Sequence, residues 1–452
     1  MASPIPVCVV GYGSSARTFH IPYILSMPHL FRLHSIQQRP NSTSGPPASK
    51  DHPEIAIIPS FDEVFASLPK PGLIVISSAN STHYPFAAQA LQAGYHVVVE
   101  KPITWRHSEA LHLAQLAKEQ GLVCASFNNR RWDGDFLTVQ SLLNPPASKP
   151  DQPSALGTAT YFESRFDRFR PWSKGGWREE SGFNEGGGLL LDLGSHLADQ
   201  LLTLFGPPSH LTAFVRNQRG QLAPRVDDDF MILLSYPTPS NPLPPSSPGS
   251  GTRLGSGLRA LLGATCLSTH VDGEQPRFRV EGTRGSYEKR GVDPQEAQLK
   301  AGRKPNDSND ESFGMYGTED PDSVKLGRLT TSTDAGQEAM PADPTAGRGK
   351  ATAPVQPRLA TSDVPTLPGR YDVYWQNVGD AIRAAEAARS GGAEAAHAAV
   401  QATLEVKPEQ AADCIKLLCL ARKSSVEGRS VRWTEEPELD VKEGKENVLY
   451  WD

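Results

Sequence analysis

The 452-residue chain contains no uninterrupted apolar run of about 20 residues. Its opening, MASPIPVCVVGYG, also lacks a basic segment followed by an apolar one. Neither membrane insertion nor export is expected, and a cytoplasmic location is the resulting expectation. Cysteine is scarce: Cys8, Cys124, Cys266, Cys414 and Cys419 lie scattered, mostly among apolar residues, with no C-x-x-C pair and no ligand cluster. That spacing predicts reduced core thiols rather than a disulfide frame or a metal centre. An excess of positive charge is missing too, since 45 Lys and Arg face 51 Asp and Glu for a formal net charge of −6. Without a basic footprint nucleic acid is not an expected partner, and an anionic ligand would need local donors. A hydrophobic fraction of 38% in a chain of this length suits two domains with substantial cores and some polar insertions.

What is present has a clear order. Up to about residue 126, β-branched runs (PVCVVGYG, FRLHSIQQ, LIVISSAN, YHVVVEKP, GLVCASF) alternate with helical stretches such as STHYPFAAQALQAG and HSEALHLAQLAKEQG. Near-continuous apolar strands between helices predict a parallel sheet covered on both faces, an α/β Rossmann-type domain over 1–126. From 127 to 452 the strand-like segments GTATYFESRFDR, DDFMILLSYP, ALLGATCLSTHVDG and RFRVEGTRGSYEKRG follow one another with few helices between, and two helical segments follow them. The expectation is an α+β domain with a mostly antiparallel sheet, serving substrate binding and oligomerisation. Three stretches rich in Pro, Ser, Gly and Thr (39–53, about 237–257 and about 303–366) are expected to be mobile insertions, because they offer little to bury.

The segment VVGYGSSA follows the first strand. Gly11, Gly13 and Ala16 have G-x-G-x-x-A spacing, and Tyr12, Ser14 and Ser15 complete the turn. Gly11 would permit the tight turn, Gly13 would let backbone amides approach a pyrophosphate, and Ala16 would let helix pack on strand. At the end of the second strand an NAD site usually offers an acid; here Gln38 and Arg39 stand instead, and Arg suits a 2′-phosphate. NADP is therefore expected over NAD, unless Arg39 merely begins the insertion.

Two further segments carry polar groups in apolar surroundings. LLLDLGSHLADQLLTLFG, from Leu189 to Gly206, sets Asp192, His196 and Asp199 on one helical face. HVVVEKPITW runs a strand into Glu100, Lys101 and Pro102 at the sheet edge where open α/β domains bind ligands. Taken singly, the first is an amphipathic helix and the second a charged turn; together with the glycine turn they suggest one site.

The chain resembles the Gfo/Idh/MocA oxidoreductases in GYGSSA, NSTHYPFAAQALQAGYHVVVEKPIT, FNNRRWDGDFLTVQSLL, GGWREE, GGGLLLDLGSHLADQLLTLFG and FRVEGTRGSYEKRG. Among these the likeness is to NADP-dependent scyllo-inositol dehydrogenases. It spans nearly the whole chain outside the three insertions and the last few residues. The resemblance implies Lys101, Asp192 and His196 as the catalytic set: His196 as general base for the hydroxyl proton, Lys101 orienting that oxygen, Asp192 on a neighbouring hydroxyl. It implies cofactor contacts at Ser78, Asn80, His83, Glu100, Pro102, Trp177 and Arg178, and a cis peptide before Pro102. It also matches Asn129, Arg130, Arg131 and Trp132. For Arg131 and Trp132 a structural role and ligand contact both remain open, as do a surface charge and a ligand role for Asp199. Ala79 replaces the family's usual proline in SSANSTH.

The activity so implied is hydride transfer between a nicotinamide and a carbinol carbon of a polyol, cyclitol or aldose, with a homodimer or homotetramer built on the open sheet face. Two other readings use the same fold: a non-catalytic dinucleotide-sensing regulator, and a reductase of a non-sugar carbonyl compound or dihydrodiol.

Overall fold

A computed structural model of the chain describes residues 3–42, 45–144, 154–237, 257–271, 273–332 and 358–439. Six strands form the first sheet: β1 (Ile5–Val10), β2 (Phe31–Gln37), β3 (Ala56–Ile58), β4 (Leu73–Ile76), β5 (His96–Val99) and β6 (Cys124–Ser126). All pair in parallel in the order β3-β2-β1-β4-β5-β6, so the sheet reverses direction of growth between β1 and β4. That reversal opens a crevice at the carboxyl ends of β1 and β4, which is where Gly11 and Ser78 lie. The central strands β4 and β5 are buried throughout, as the LIVI and HVVV runs require when helices cover both faces.

The second sheet has nine strands: β7 (Ala159–Arg165), β8 (His210–Arg216), β9 (Asp229–Ser235), β10 (Arg259–Thr265), β11 (Pro276–Gly282), β12 (Gly285–Arg290), β13 (Leu326–Ser332), β14 (Leu359–Pro365) and β15 (Val431–Arg432). Their order is β14-β13-β12-β11-β7-β10-β9-β8-β15, antiparallel except where β7 and β10 run in parallel. One face carries the helices Ser195–Phe205 and Pro408–Glu427, the latter closed by Gly428 in the left-handed region as its sequence predicts. The chain then links back to the first domain: helix Tyr371–Ala388 buries Tyr374, Trp375, Val378 and Ile382, and helix Gly392–Thr403 buries Ala396 and Val400, in one cluster with Val7, Val9, Phe31 and Val98 of the parallel sheet. No helix among the described residues is long and apolar enough to cross a membrane.

Two expected insertions are corrected over their described residues; 43–44 of the first and 333–357 of the last lie outside these. In 39–53 a short helix, Ala48–Asp51, forms, and Gln38 ties it down: its amide donates to the Pro46 carbonyl (3.0 Å) and accepts from the Ala48 N–H (2.7 Å). The Tyr12 hydroxyl adds a bond to Asp51 at 2.8 Å. Within 303–366, β13 and β14 pair with each other and continue the large sheet at its edge. The side chains of β14 are largely exposed and those of β13 mostly half-buried, so backbone pairing more than apolar burial orders them. The expected insertion near 237–257 has residues 238–256 outside the described ones.

Candidate active site

The glycine turn is built as its spacing requires. Gly11 has φ +90°, and a Cβ there would sit 2.7 Å from the Ser77 carbonyl oxygen, so no side chain fits between β1 and β4. Gly13 has open space where a side chain would stand, leaving its backbone accessible to a pyrophosphate, while Ala16 is buried. Ser14 is exposed, and Ser15 bonds Glu100. These features fit a dinucleotide. Gln38 is held by the 46–48 loop, whereas the exposed Arg39 guanidinium makes no hydrogen bond or ion pair among the described residues.

On the opposite wall, Ser78 bonds the Thr82 hydroxyl, Asn80 donates to the Gly186 carbonyl at 2.7 Å, and His83 lies fully buried against the carbonyls of Pro102 and Ser78. Burial pushes the His83 pKa down. Asn80 thereby joins the first domain to the segment after Trp177. The Lys101–Pro102 peptide is cis, as the resemblance implied. Burial alone would raise the Glu100 carboxyl, but His20 at 2.9 Å, Ser15 and Lys101 hold it down at about 2. Glu100 also accepts the Lys101 backbone N–H at 2.9 Å, fixing the residue that follows it.

The opening turn of the Asp/His helix is a wide π-type turn, Leu190–Gly194, which passes into the regular helix Ser195–Phe205. Asp227 anchors its start, accepting the Leu190 N–H at 2.6 Å. Gly188, at φ +89°, is indispensable there because a Cβ would fall 2.1 Å from Asp227 Oδ1. Lys101 Nζ donates to Asp192 Oδ1 at 2.9 Å and to the Asp192 carbonyl at 2.6 Å. An ammonium has three donors, so one remains for a substrate oxygen. Burial would raise the Asp192 carboxyl, yet Lys101 and Arg178 hold it well below the usual carboxylate range. His196 is buried, with its ring edge toward Phe166 (6.4 Å between centroids), and nothing among the described residues hydrogen-bonds to its nitrogens. Burial first, then Lys101, Arg130 and Arg277, push its pKa well below 6.5. A neutral, unpaired imidazole is thus held beside a lysine–aspartate pair.

Trp177 and the exposed Arg178 stand at the mouth, with Arg178 stacked on the indole at 4.6 Å and its Nε 3.5 Å from Asp192 Oδ1. The open question about Arg131 is settled by geometry: it forms a bidentate pair with Asp199 (2.9 and 2.7 Å) and reaches the Glu405 carbonyl and Gln410. Asp199 is therefore a buried structural partner. Trp132 packs edge-on against Tyr374 of the returning helix. Three residues passed over in the sequence border the site: Phe166, Arg168 and Arg277. The alternation that runs from Phe162 and Ser164 of β7 into the residues just after it was the available signal for the first two.

The Asp227 anchor carries a pH signature. Burial, with Asp228 adding to it and Leu190 N–H and Arg422 opposing, raises its pKa from 3.8 to about 7. From about pH 4 to about pH 7 the folded state keeps a proton that the unfolded chain gives up, so this contribution to stability is lost as pH rises through that window. Each unit of displacement is worth about 1.4 kcal/mol. Asp227→Asn keeps an acceptor for Leu190 without the charge; its urea midpoint should match wild type near pH 4 and exceed it at pH 8. Equal midpoints at pH 8 would show that Asp227 ionises without penalty.

A dinucleotide turn, a lysine beside it and a neutral imidazole on the facing helix define an oxidoreductase of the NAD-binding Rossmann class. Residues 5–127 match the family model for the oxidoreductase family with an NAD-binding Rossmann fold, and residues 152–288 match the GFO/IDH/MocA C-terminal domain. The chain is 35% identical to an uncharacterised oxidoreductase of Schizosaccharomyces pombe, over 84% of this chain and 90% of that one. It is 28% identical to scyllo-inositol 2-dehydrogenase (NADP(+)) IolW of Bacillus subtilis, over 94% and 95% of the two chains. A solved oxidoreductase structure from Yersinia pestis superimposes with a TM-score of 0.69 at 33% identity, covering 96% of this chain and 98% of that one. The chain belongs to the Gfo/Idh/MocA family of oxidoreductases.

Proposed function

We propose that this oxidoreductase uses NADP to move hydride between the nicotinamide and a carbinol carbon of a polyol, cyclitol or aldose. The observation that carries the reading is the neutral, unpaired His196 ring beside Lys101 and Asp192. The bound nicotinamide supplies or accepts the hydride. His196 takes the hydroxyl proton during oxidation and returns it during reduction, which a lowered pKa permits at neutral pH. Lys101 directs its remaining N–H toward the same oxygen, and Asp192, kept ionised, accepts from a neighbouring hydroxyl. Gly11, Gly13 and Ser15 shape the pyrophosphate side, and Ser78, Asn80, His83, Glu100, Pro102, Trp177 and Arg178 frame the nicotinamide side. A regulator that only senses dinucleotide has no use for an unpaired buried imidazole. Exposed Met231 and Leu233 on β9, 37% and 44% accessible, support a homodimer or homotetramer through the uncovered face of the large sheet.

The test is to offer NADP and NAD separately with inositols, aldoses and acyclic polyols and to follow formation of reduced nicotinamide. Turnover on one class with NADP supports the reading; dinucleotide binding without turnover on any class overturns it. Arg39 is the proposed 2′-phosphate contact, because no acid ends β2 and its guanidinium has no partner among the described residues. A charge-assisted bond is worth about 1.5–3 kcal/mol. Arg39→Ala should accordingly raise the KM for NADP about tenfold or more while changing that for NAD little; equal changes would remove Arg39 from cofactor selection.

A further inference from the structure

Strand β7 and the Asp/His helix run past each other, and two contacts fix their register: Phe162 meets Phe205 (5.3 Å between centroids) and Phe166 meets His196 (6.4 Å). Between these contacts the strand advances about 13 Å and the helix about 13.5 Å, so they are nearly collinear. The ladder continues beyond Arg165, since Phe166 N–H bonds the Gly263 carbonyl (3.0 Å) and Arg168 N–H bonds that of Thr265 (2.9 Å). Arg168 therefore shares the face of Phe162 and Phe166. Its two-residue advance of about 6.6 Å matches about 6 Å of helix, from His196 back to Asp192. Arg168 stands opposite Asp192, consistent with its part in keeping that carboxyl ionised.

The charges around Asp192 do not balance. Lys101 is its close partner at 2.9 Å, and Arg178 approaches to 3.5 Å. Arg168 is half-buried, and its guanidinium makes no hydrogen bond or ion pair among the described residues. Nearby Arg130 is satisfied by Asp133 and Glu296, and Arg277 by Asp135. Two guanidiniums thus remain over a single carboxylate that already has a lysine. Partial burial of an unpaired cation is costly unless an anion arrives to pair with it. A guanidinium is also the group best matched to a planar or tetrahedral oxyanion.

We infer that the site takes a hydroxy substrate bearing an oxyanion, a carboxylate or a phosphate, and that Arg168 selects for it. This rests on the dehydrogenase reading above and narrows its substrate class. The reacting carbinol lies at His196 and Lys101, and the oxyanion sits about one helical turn away, toward Arg168.

The test uses matched pairs with NADP: a hexuronate against the corresponding neutral aldose for the carboxylate, and an inositol monophosphate against inositol for the phosphate. In wild type one anionic member should exceed its neutral counterpart in kcat/KM by at least about tenfold. In Arg168→Gln that ratio should fall roughly ten- to hundredfold, mainly through KM, and Arg168→Lys should restore part of it. A purely structural role for Arg168 would lower both members of a pair together. Calorimetric titration of the NADP-bound protein with the same compounds separates this inference from the activity it rests on. If nothing turns over but an anion binds wild type and not Arg168→Gln, the dehydrogenase reading fails and the anion site stands. Neutral members preferred in wild type, ratios unchanged in Arg168→Gln, or no anion binding would each overturn the inference.

Discussion

His196→Asn lowers kcat by about 10²- to 10⁴-fold, the range expected for losing a positioned general base. Asparagine keeps a polar group near the imidazole's position but cannot take up a proton at neutral pH. NADP binding should persist, because the glycine turn, Glu100 and Asn80 belong to other elements. The pH profile adds a signature that misfolding could not imitate. Burial and the cations Lys101, Arg130 and Arg277 push the His196 pKa well below 6.5, while Asp192 on the same helix is paired with Lys101 and Asp199 with Arg131. The base is active when unprotonated, so wild-type kcat/KM should stay level as pH falls through 6.5 and decline only in more acid solution. That acid limb should be absent in His196→Asn. A loss under tenfold, or a wild-type limb centred near 6.5, would remove His196 from the proton-transfer role; steady-state kinetics across pH decide it.

Much of this site was legible in the sequence because its parts depend on short-range rules. Gly11 is needed by a turn, Lys101 follows the end of an apolar strand, and Asp192 and His196 share a face through helical periodicity. The edge strands β13 and β14 were not legible, since backbone pairing at a sheet edge leaves no apolar alternation to read. The 39–53 segment looked unable to order itself, yet one amide, that of Gln38, organises it with both its donor and its acceptor. The role of Asp199 was ambiguous for a different reason: its partner Arg131 lies 68 residues earlier in the chain. Arg277 is the extreme case, 142 residues from Asp135, and no local pattern distinguishes it from the arginine two positions later, which is exposed.

Arg277→Met is expected to destabilise the fold by about 3–5 kcal/mol, the cost of leaving a buried charge without its partner. Arg277 is 1% exposed and bonds Asp135 at 3.0 Å, Ser164 Oγ at 2.7 Å and Gln200 Oε1 at 2.9 Å, with its guanidinium 4.2 Å from the Phe166 ring centre and 4.0 Å from that of Phe278. Methionine replaces much of the stem's packing, so the loss isolates charge and hydrogen bonding rather than volume. Asp133, raised to about 6 by burial and by Asp135, would lose a nearby cation as well. Total stabilities are only about 5–15 kcal/mol, so a single change of this size should be visible in expression and in the urea midpoint. If the uncompensated Asp135 charge is the cause, Arg277→Met combined with Asp135→Asn should recover at least half of the loss, because the amide oxygen can still accept the Phe136 N–H at no charge penalty. No recovery in the double variant would place the cost instead in the lost bonds to Ser164 and Gln200. Gln200 lies one turn beyond His196 and holds the Arg130 carbonyl at 2.7 Å, so the second outcome would make Arg277 a positioning residue for the helix that carries the base.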